Sequence, residues 1–161
     1  MAITEIIPAT LEHVAIIAKD IRPEDREELW ATAYCTPEQA MTEGLKCSDI
    51  VMTGVIDGVP VCMWGVVRPS WLIDIGTPWM VGSTLLDVHA MKFLRRCRRP
   101  LLALFEGYDR LENYVDARNT RSIQWLKFMG FNVDEEPVEY GVEKMPFHRF
   151  WKEREPCAIQ Q

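Results

Sequence analysis

The stretch that most constrains this chain is residues 111–131, LENYVDARNTRSIQWLKFMGF. It opens as an extended segment over 112–116, where Asn113 and Tyr114 stand beside Val115, and crosses a polar turn at 117–119. A helix is predicted from Thr120 to Met129: Ile123, Leu126 and Met129 recur at three-residue spacing, and Trp125 and Phe128 widen the stripe. Asn119 suits the N-cap, because its short side-chain oxygen can accept from an otherwise orphaned N–H of the first turn. Gly130 falls where the chain must leave the helix through positive φ, and Phe131 starts a new extended segment. A strand–helix–strand unit of this kind needs a sheet to pack on.

The rest of the chain supplies one. Residues 4–8 alternate as a first strand, and Thr10 caps a helix over 11–19 whose Val14, Ile17 and Ala18 share a face. A second helix is predicted over 22–33, with Pro23 at its first turn and Glu24, Asp25, Glu27 and Glu28 behind it. A third begins at Thr36-Pro37-Glu38 and ends near Gly44. Both are acidic, and such faces are expected to be solvated. Residues 49–56 and 59–67 form a hairpin around Asp57-Gly58, the strongest short turn signal in the chain. Residues 71–75 extend the pairing, Gly76-Thr77-Pro78 breaks it, and Trp79, Met80 and Val81 form a short strand leading into Gly82-Ser83-Thr84. A long helix runs from Thr84 to Arg99, where Pro100 kinks or restarts it; Leu101, Leu104, Phe105, Tyr108 and Leu111 continue its stripe. Residues 131–133 and 140–144 are the last strands, the second extended by Phe147, Phe150 and Trp151. Alternating strands and helices in the second half define an α/β class, with helices packed on a sheet.

Composition limits function. With 161 residues, 48% apolar and 26% charged, the chain suits one soluble domain. The longest apolar run, residues 59–67, is far short of a membrane helix, and no secretory pattern opens the sequence. Cysteines 35, 47, 62, 97 and 157 are odd in number and never spaced C-x-x-C, which points to reduced thiols in a cytoplasmic setting rather than to disulfides or zinc. The net charge of −6 is unevenly spread: residues 1–60 hold 4 Lys/Arg against 11 Asp/Glu, whereas residues 61–130 hold 10 against 6. A basic middle between acidic flanks fits a small anionic ligand better than a nucleic-acid backbone.

Residues 119–131, NTRSIQWLKFMGF, in this order of elements, resemble the GNAT superfamily of N-acetyltransferases, in which an N-x-x-[SA]…G-F pattern closes over the coenzyme. More narrowly, residues 112–136 and the Arg/Lys-rich helix before them resemble the internal virion protein A family of T7-like phages, short GNAT-like proteins. The likeness covers residues 49–150 and is best over 79–136. It implies a single-domain mixed, splayed sheet flanked by helices over residues 1–152, followed by a polar tail at 153–161. It also implies binding of acetyl-CoA and transfer of an acetyl group to an amine, with no metal. The alternative it implies is a non-catalytic internal virion or assembly protein with phage virion proteins as partners. Either would act in the host cell cytoplasm or the virion.

Under this resemblance Trp79, Met80 and Val81 offer a backbone N–H to the thioester oxygen. Gly82, Ser83 and Thr84 present helix-start amides to the pyrophosphate, and Asn119 reaches the coenzyme from across the splay. The family's pyrophosphate loop, [RQ]-x-x-G-x-[GA], is replaced here by a segment with one glycine and no Arg or Gln in register. The tyrosine that often protonates the departing thiolate falls at Leu126, which has no proton to give. Asp116, Tyr114 and His89 are the substitute candidates for proton transfer or amine orientation.

Overall fold

A computed structural model describes residues 1–104 and 106–156 of the chain. Phe105 of the predicted stripe, Cys157 and the end of the polar tail lie outside the described residues. The element order is β1 (Thr4–Pro8), α1 (Leu11–Lys19), α2 (Pro23–Ala33), α3 (Pro37–Cys47), β2 (Ser48–Ile56), β3 (Val59–Val67), β4 (Ile75–Gly82), α4 (Thr84–Ala103), β5 (Arg110–Asp116), α5 (Thr120–Phe128), β6 (Asn132–Val133), β7 (Val138–Tyr140) and β8 (Met145–Glu153).

The eight strands make one mixed, open sheet in the order β1-β2-β3-β4-β5-β8-β6, with β7 also on β8. The expected α/β architecture holds. Asp57 and Gly58 both take positive φ (49° and 79°), the two left-handed residues a tight hairpin turn requires. Gly130 leaves α5 at φ 88°, and Asn119 caps that helix by accepting from the Ser122 N–H. Capping boxes close the starts of α1 (Thr10, His13) and α3 (Thr36, Gln39).

Two cores sandwich the sheet. On one face, Cys62, Trp64 and Val66 of β3 pack with Leu86, Phe93, Leu94 and Cys97 of α4 and with Trp125 of α5. On the other, Met63 and Val81 pack under Val14, Ile17 and Met41 of α1 and α3. The alternation along β3 follows from the two-residue period of a strand buried on both faces. Complete burial of a side chain such as Phe93 stabilises by about 1.5–3 kcal/mol.

Four expectations are corrected. Residues 71–74 are not a strand but a loop with Trp71 and Leu72 exposed; of the expected segment only Ile75 is extended, and it opens β4, which is continuous through Gly76-Thr77-Pro78. Pro78 does not interrupt it because its missing N–H lies on the edge facing β5, where no ladder bond is demanded. Gly44 sits inside α3 rather than ending it, because the Trp79 ring packs where a Cβ would be, 2.3 Å from it. The long helix continues through Pro100 to Ala103, where the proline has no N–H to give the Arg96 carbonyl. Of the strand expected over 140–144 only Tyr140 is extended, as the end of β7; residues 141–144 are a turn, and Phe147, Phe150 and Trp151 belong to β8 itself. Tertiary contact decides this last case: Val142 and Glu143 donate their N–H groups to the carbonyls of Thr32 and Ala31 at the end of α2.

Candidate functional site

The sheet is nearly two sheets. β4 and β5, its parallel pair, are matched only at Ile75–Arg110 and Gly76–Leu111. Beyond that, β4 stays on β3 up to Gly82 and β5 stays on β8 up to Asp116, so the pair opens toward its C-terminal ends. Asn113 spans the first step of the gap, donating from Nδ2 to the Pro78 carbonyl at 2.8 Å. A cavity of about 450 Å³ occupies the opening. Phe93, Leu94, Trp125 and Leu126 line one side of it, and Glu28, Tyr114 and Tyr140 line another. The Pro78 carbonyl and the Gly82 N–H both serve the splay edge, so strand alternation turns the Met80 N–H the same way.

At the end of β4 the backbone donors are satisfied from within the chain. The Gly82 N–H donates to Asp25 Oδ2 at 2.8 Å, the Ser83 N–H to the Val61 carbonyl at 2.7 Å, and the Thr84 N–H to the Asp20 carbonyl at 2.8 Å. A bridge between Ile21 and Ser83, with Arg22 N–H donating to the Gly82 carbonyl, locks the start of α2 onto this corner. The Arg22 side chain is fully buried. Its guanidinium donates to Asp25 (2.8 Å), Asp87 (2.9 Å), Ser122 (3.1 Å) and Asn119 (3.4 Å) and lies 4.5 Å from the Trp125 ring centroid. Ser83 Oγ, also buried, has no hydrogen-bond partner.

Asn119 joins this corner to the Glu28 side of the cavity. Its Oδ1 accepts from Ser122 N–H and Arg22, while its Nδ2 donates to Glu28 Oε2 at 2.9 Å and Asp25 Oδ1 at 3.2 Å. Burial pushes the Glu28 carboxyl up to about 7; the Asn119 donor pulls it down and the neighbouring Asp25 pushes it further up. Burial also raises Asp25, against the pull of Arg22 and the Gly82 N–H. A carboxyl titrating near neutrality beside a cavity that Tyr114 and Tyr140 also line can hold an ammonium group or take its proton.

The sequence candidates fall in different places. Trp79, Met80, Val81, Tyr114 and Asn119 line the cavity. Trp79 is fixed by a bond from Nε1 to Ser48 Oγ at 2.8 Å, and Tyr114 stacks on Tyr140 with centroids 4.2 Å apart. Gly82, Ser83 and Thr84 form the satisfied corner just described. Asp116 is buried and committed to its own turn, accepting from the Arg118 N–H and pairing with its guanidinium at 2.7 Å. His89 is half-buried on α4 and is not among the cavity residues. Sequence reasoning missed Arg22, Asp25 and Glu28, which it assigned to a solvated acidic helix. Glu24 and Glu27 are indeed exposed, but Asp25 is buried and Glu28 half-buried. The available signal was spacing: Asp25, Glu28, Leu29 and Thr32 share one face of a helix that has few apolar residues to bury.

Acetyl-CoA fits this site in part. The splay and its apolar lining fit an acyl chain and a thioester arm, and Met80 supplies a donor. The corner that the resemblance assigns to a diphosphate does not fit one while Asp25 occupies the Gly82 N–H, because a second anion there would meet a carboxylate.

No family model matches the chain, and no curated protein matches it. Solved structures do match. A GCN5-related N-acetyltransferase from Kribbella flavida is similar at 16% identity with TM-score 0.67, covering 93% of this chain and 97% of that one. Spermidine N-acetyltransferase from Vibrio cholerae, in complex with CoA and spermine, is similar at 8% identity with TM-score 0.68, covering 94% and 95%. The ribosomal-protein-S18-alanine N-acetyltransferase from Escherichia coli is similar at 11% identity with TM-score 0.66, covering 99% of both. Together with the splayed β4–β5 pair, these likenesses define the class: this is the fold of the GCN5-related N-acetyltransferases, present over nearly the whole chain.

Proposed function

We propose that the protein is an N-acyltransferase-type protein that binds an amine at the Glu28 end of the splay cavity. The observation that carries this reading is the Glu28 carboxyl, raised to about 7, held by Asn119 and lining the cavity in the open β4–β5 gap. Neutral amines attack acyl carbons; ammonium groups do not. A carboxylate at this position would bind the ammonium form and take its proton, leaving a nucleophilic amine. Tyr114 and Tyr140 would flank the charged form, and the Met80 N–H would stabilise negative charge on an acyl oxygen in the gap. Acetyl-CoA, when bound, supplies an activated acetyl group. The amine-bearing substrates of the similar structures, spermine among them, are the first acceptors to test.

The experiment is acetyl transfer from acetyl-CoA to a panel of polyamines and N-terminal peptides, with thiol release measured between pH 5 and 9. Activity should rise through about pH 7 as Glu28 ionises and should fall by about 10²–10⁴ in kcat for Glu28→Gln. Equal rates for the two chains at every pH would remove Glu28 from the chemistry.

A second reading is a non-catalytic protein of this fold that works in phage virion assembly. Leu126 in place of a proton donor and Asp25 on the Gly82 N–H favour its non-catalytic part, and its phage role rests on the resemblance over residues 112–136 alone. It predicts no thermal shift with millimolar acetyl-CoA and co-purification with virion proteins. A ligand at about 100 times its Kd would instead stabilise by about 2.7 kcal/mol.

A further inference from the structure

We propose that the corner formed by the Arg22 guanidinium and the Gly82 N–H is an anion site whose resident occupant is the Asp25 carboxylate, so that Asp25 and a diphosphate-bearing ligand exclude one another. This deepens the acyltransferase reading at the same site by stating what a coenzyme must displace.

Two observations carry the proposal. Asp25 takes both kinds of donor such a site offers, the backbone amide of Gly82 on Oδ2 at 2.8 Å and one charged N–H of Arg22 on Oδ1 at 2.8 Å. Asp25 also reaches this amide from 57 residues earlier in the chain, so the pairing is a tertiary one that no local turn demands.

Removing the carboxylate should open the site. Asp25→Ala leaves Arg22 and the Gly82 amide facing a gap the size of the lost group. Binding is measured by calorimetry for wild type, Asp25→Ala and Asp25→Asn with three probes: inorganic pyrophosphate, acetyl-CoA and S-acetylpantetheine, which carries the thioester arm without the diphosphate. Both variants should bind pyrophosphate and acetyl-CoA more tightly than wild type, by about tenfold or more for Asp25→Ala. S-acetylpantetheine should bind all three chains equally. Sodium formate should raise the Tm of Asp25→Ala relative to chloride at equal ionic strength and leave wild type unchanged. Should the Ala variant fail to fold, Asp25→Asn, which keeps the side-chain volume, carries the same expectation alone. Pyrophosphate affinity that is equal across the chains, or highest in wild type, overturns the proposal. The function reading fails separately: tightened pyrophosphate binding with no acetyl transfer to any amine leaves the anion site standing without the enzyme. Acetyl transfer by wild type with a coenzyme affinity that the Asp25 variants do not change leaves the enzyme standing without the anion site.

Discussion

The two strand-to-helix junctions that open the splay, β4–α4 and β5–α5, do the same mechanical job by opposite means. At β5–α5 the helix start is served by a residue three positions away: Asn119 Oδ1 accepts from the Ser122 N–H, and Asp116 folds its own turn through Arg118. At β4–α4 the backbone N–H groups of Gly82, Ser83 and Thr84 find their partners far off in sequence, in Asp25, Val61 and Asp20. The first junction is a local device and the second a tertiary one. Arg22 is the piece that couples them, with Asp25 and Asp87 on one side and Asn119 and Ser122 on the other. A local junction survives changes elsewhere, whereas a tertiary one fails when a single distant side chain is lost.

The strongest way to break that contrast is Arg22→Ala. It leaves Asp25 buried without its counter-charge, and loss of one partner of a buried pair costs about 3–5 kcal/mol. At this chain length that is a Tm lower by roughly 10 °C. Asn119→Ser, which keeps the cap oxygen, should cost much less than this. A Tm for Arg22→Ala within a degree or two of wild type would mean that the corner is held by backbone bonds alone.

The next effect is pH-dependent and has a definite sign. Glu28 binds its proton more tightly folded, at about 7, than unfolded, near 4.5. Its contribution is therefore complete below about pH 4.5 and lost as pH rises through about 7, up to about 3 kcal/mol before solvent screening at its partly exposed edge reduces it. Asp25, raised in the same direction, adds to the slope. Glu28→Gln keeps an acceptor for Asn119 and carries no charge. It should match wild type at pH 4.5 and exceed it in urea-melt stability at pH 8. A wild-type stability that climbs between pH 5 and 8 would reverse this assignment.

The same distinction explains what the sequence disclosed. The DG turn, the Thr10 and Thr36 caps, the Asn119 cap and the Gly130 exit are each local patterns within four residues, and each stands in the structure. The α/β class follows from their order. The splay and the strand over residues 79–81 beside it were reached through the resemblance over residues 79–136; the cavity and the direction of the Met80 N–H came from the structure. The Arg22–Asp25–Glu28 group was not, because residues 82, 119 and 122 meet it only after the sheet has formed. An acidic helix over 23–33 looks solvated until the Arg22 guanidinium and Gly82 amide are known to face it. Pro78 and Gly44 misled in the same way: each was read as a local break, while the splay edge and the Trp79 ring set its use.

Asn119 belongs to both junctions, so it offers the finest test. As a local cap alone it would accept replacement by serine or aspartate, both good N-cap residues, within about 0.5 kcal/mol. In the network it donates two hydrogen bonds, to Asp25 and Glu28. Asn119→Ser loses most of that donation and should cost about 1–3 kcal/mol. Asn119→Asp keeps the cap but sets a third carboxylate against two, so its cost should be larger at pH 8 than at pH 5, where Glu28 is protonated. Melting curves of the two variants at both pH values decide it. Equal, small costs throughout would return Asn119 to a simple cap and detach β5–α5 from the α2 corner. A pH-dependent cost for aspartate alone would show that the local device and the tertiary one meet at this residue.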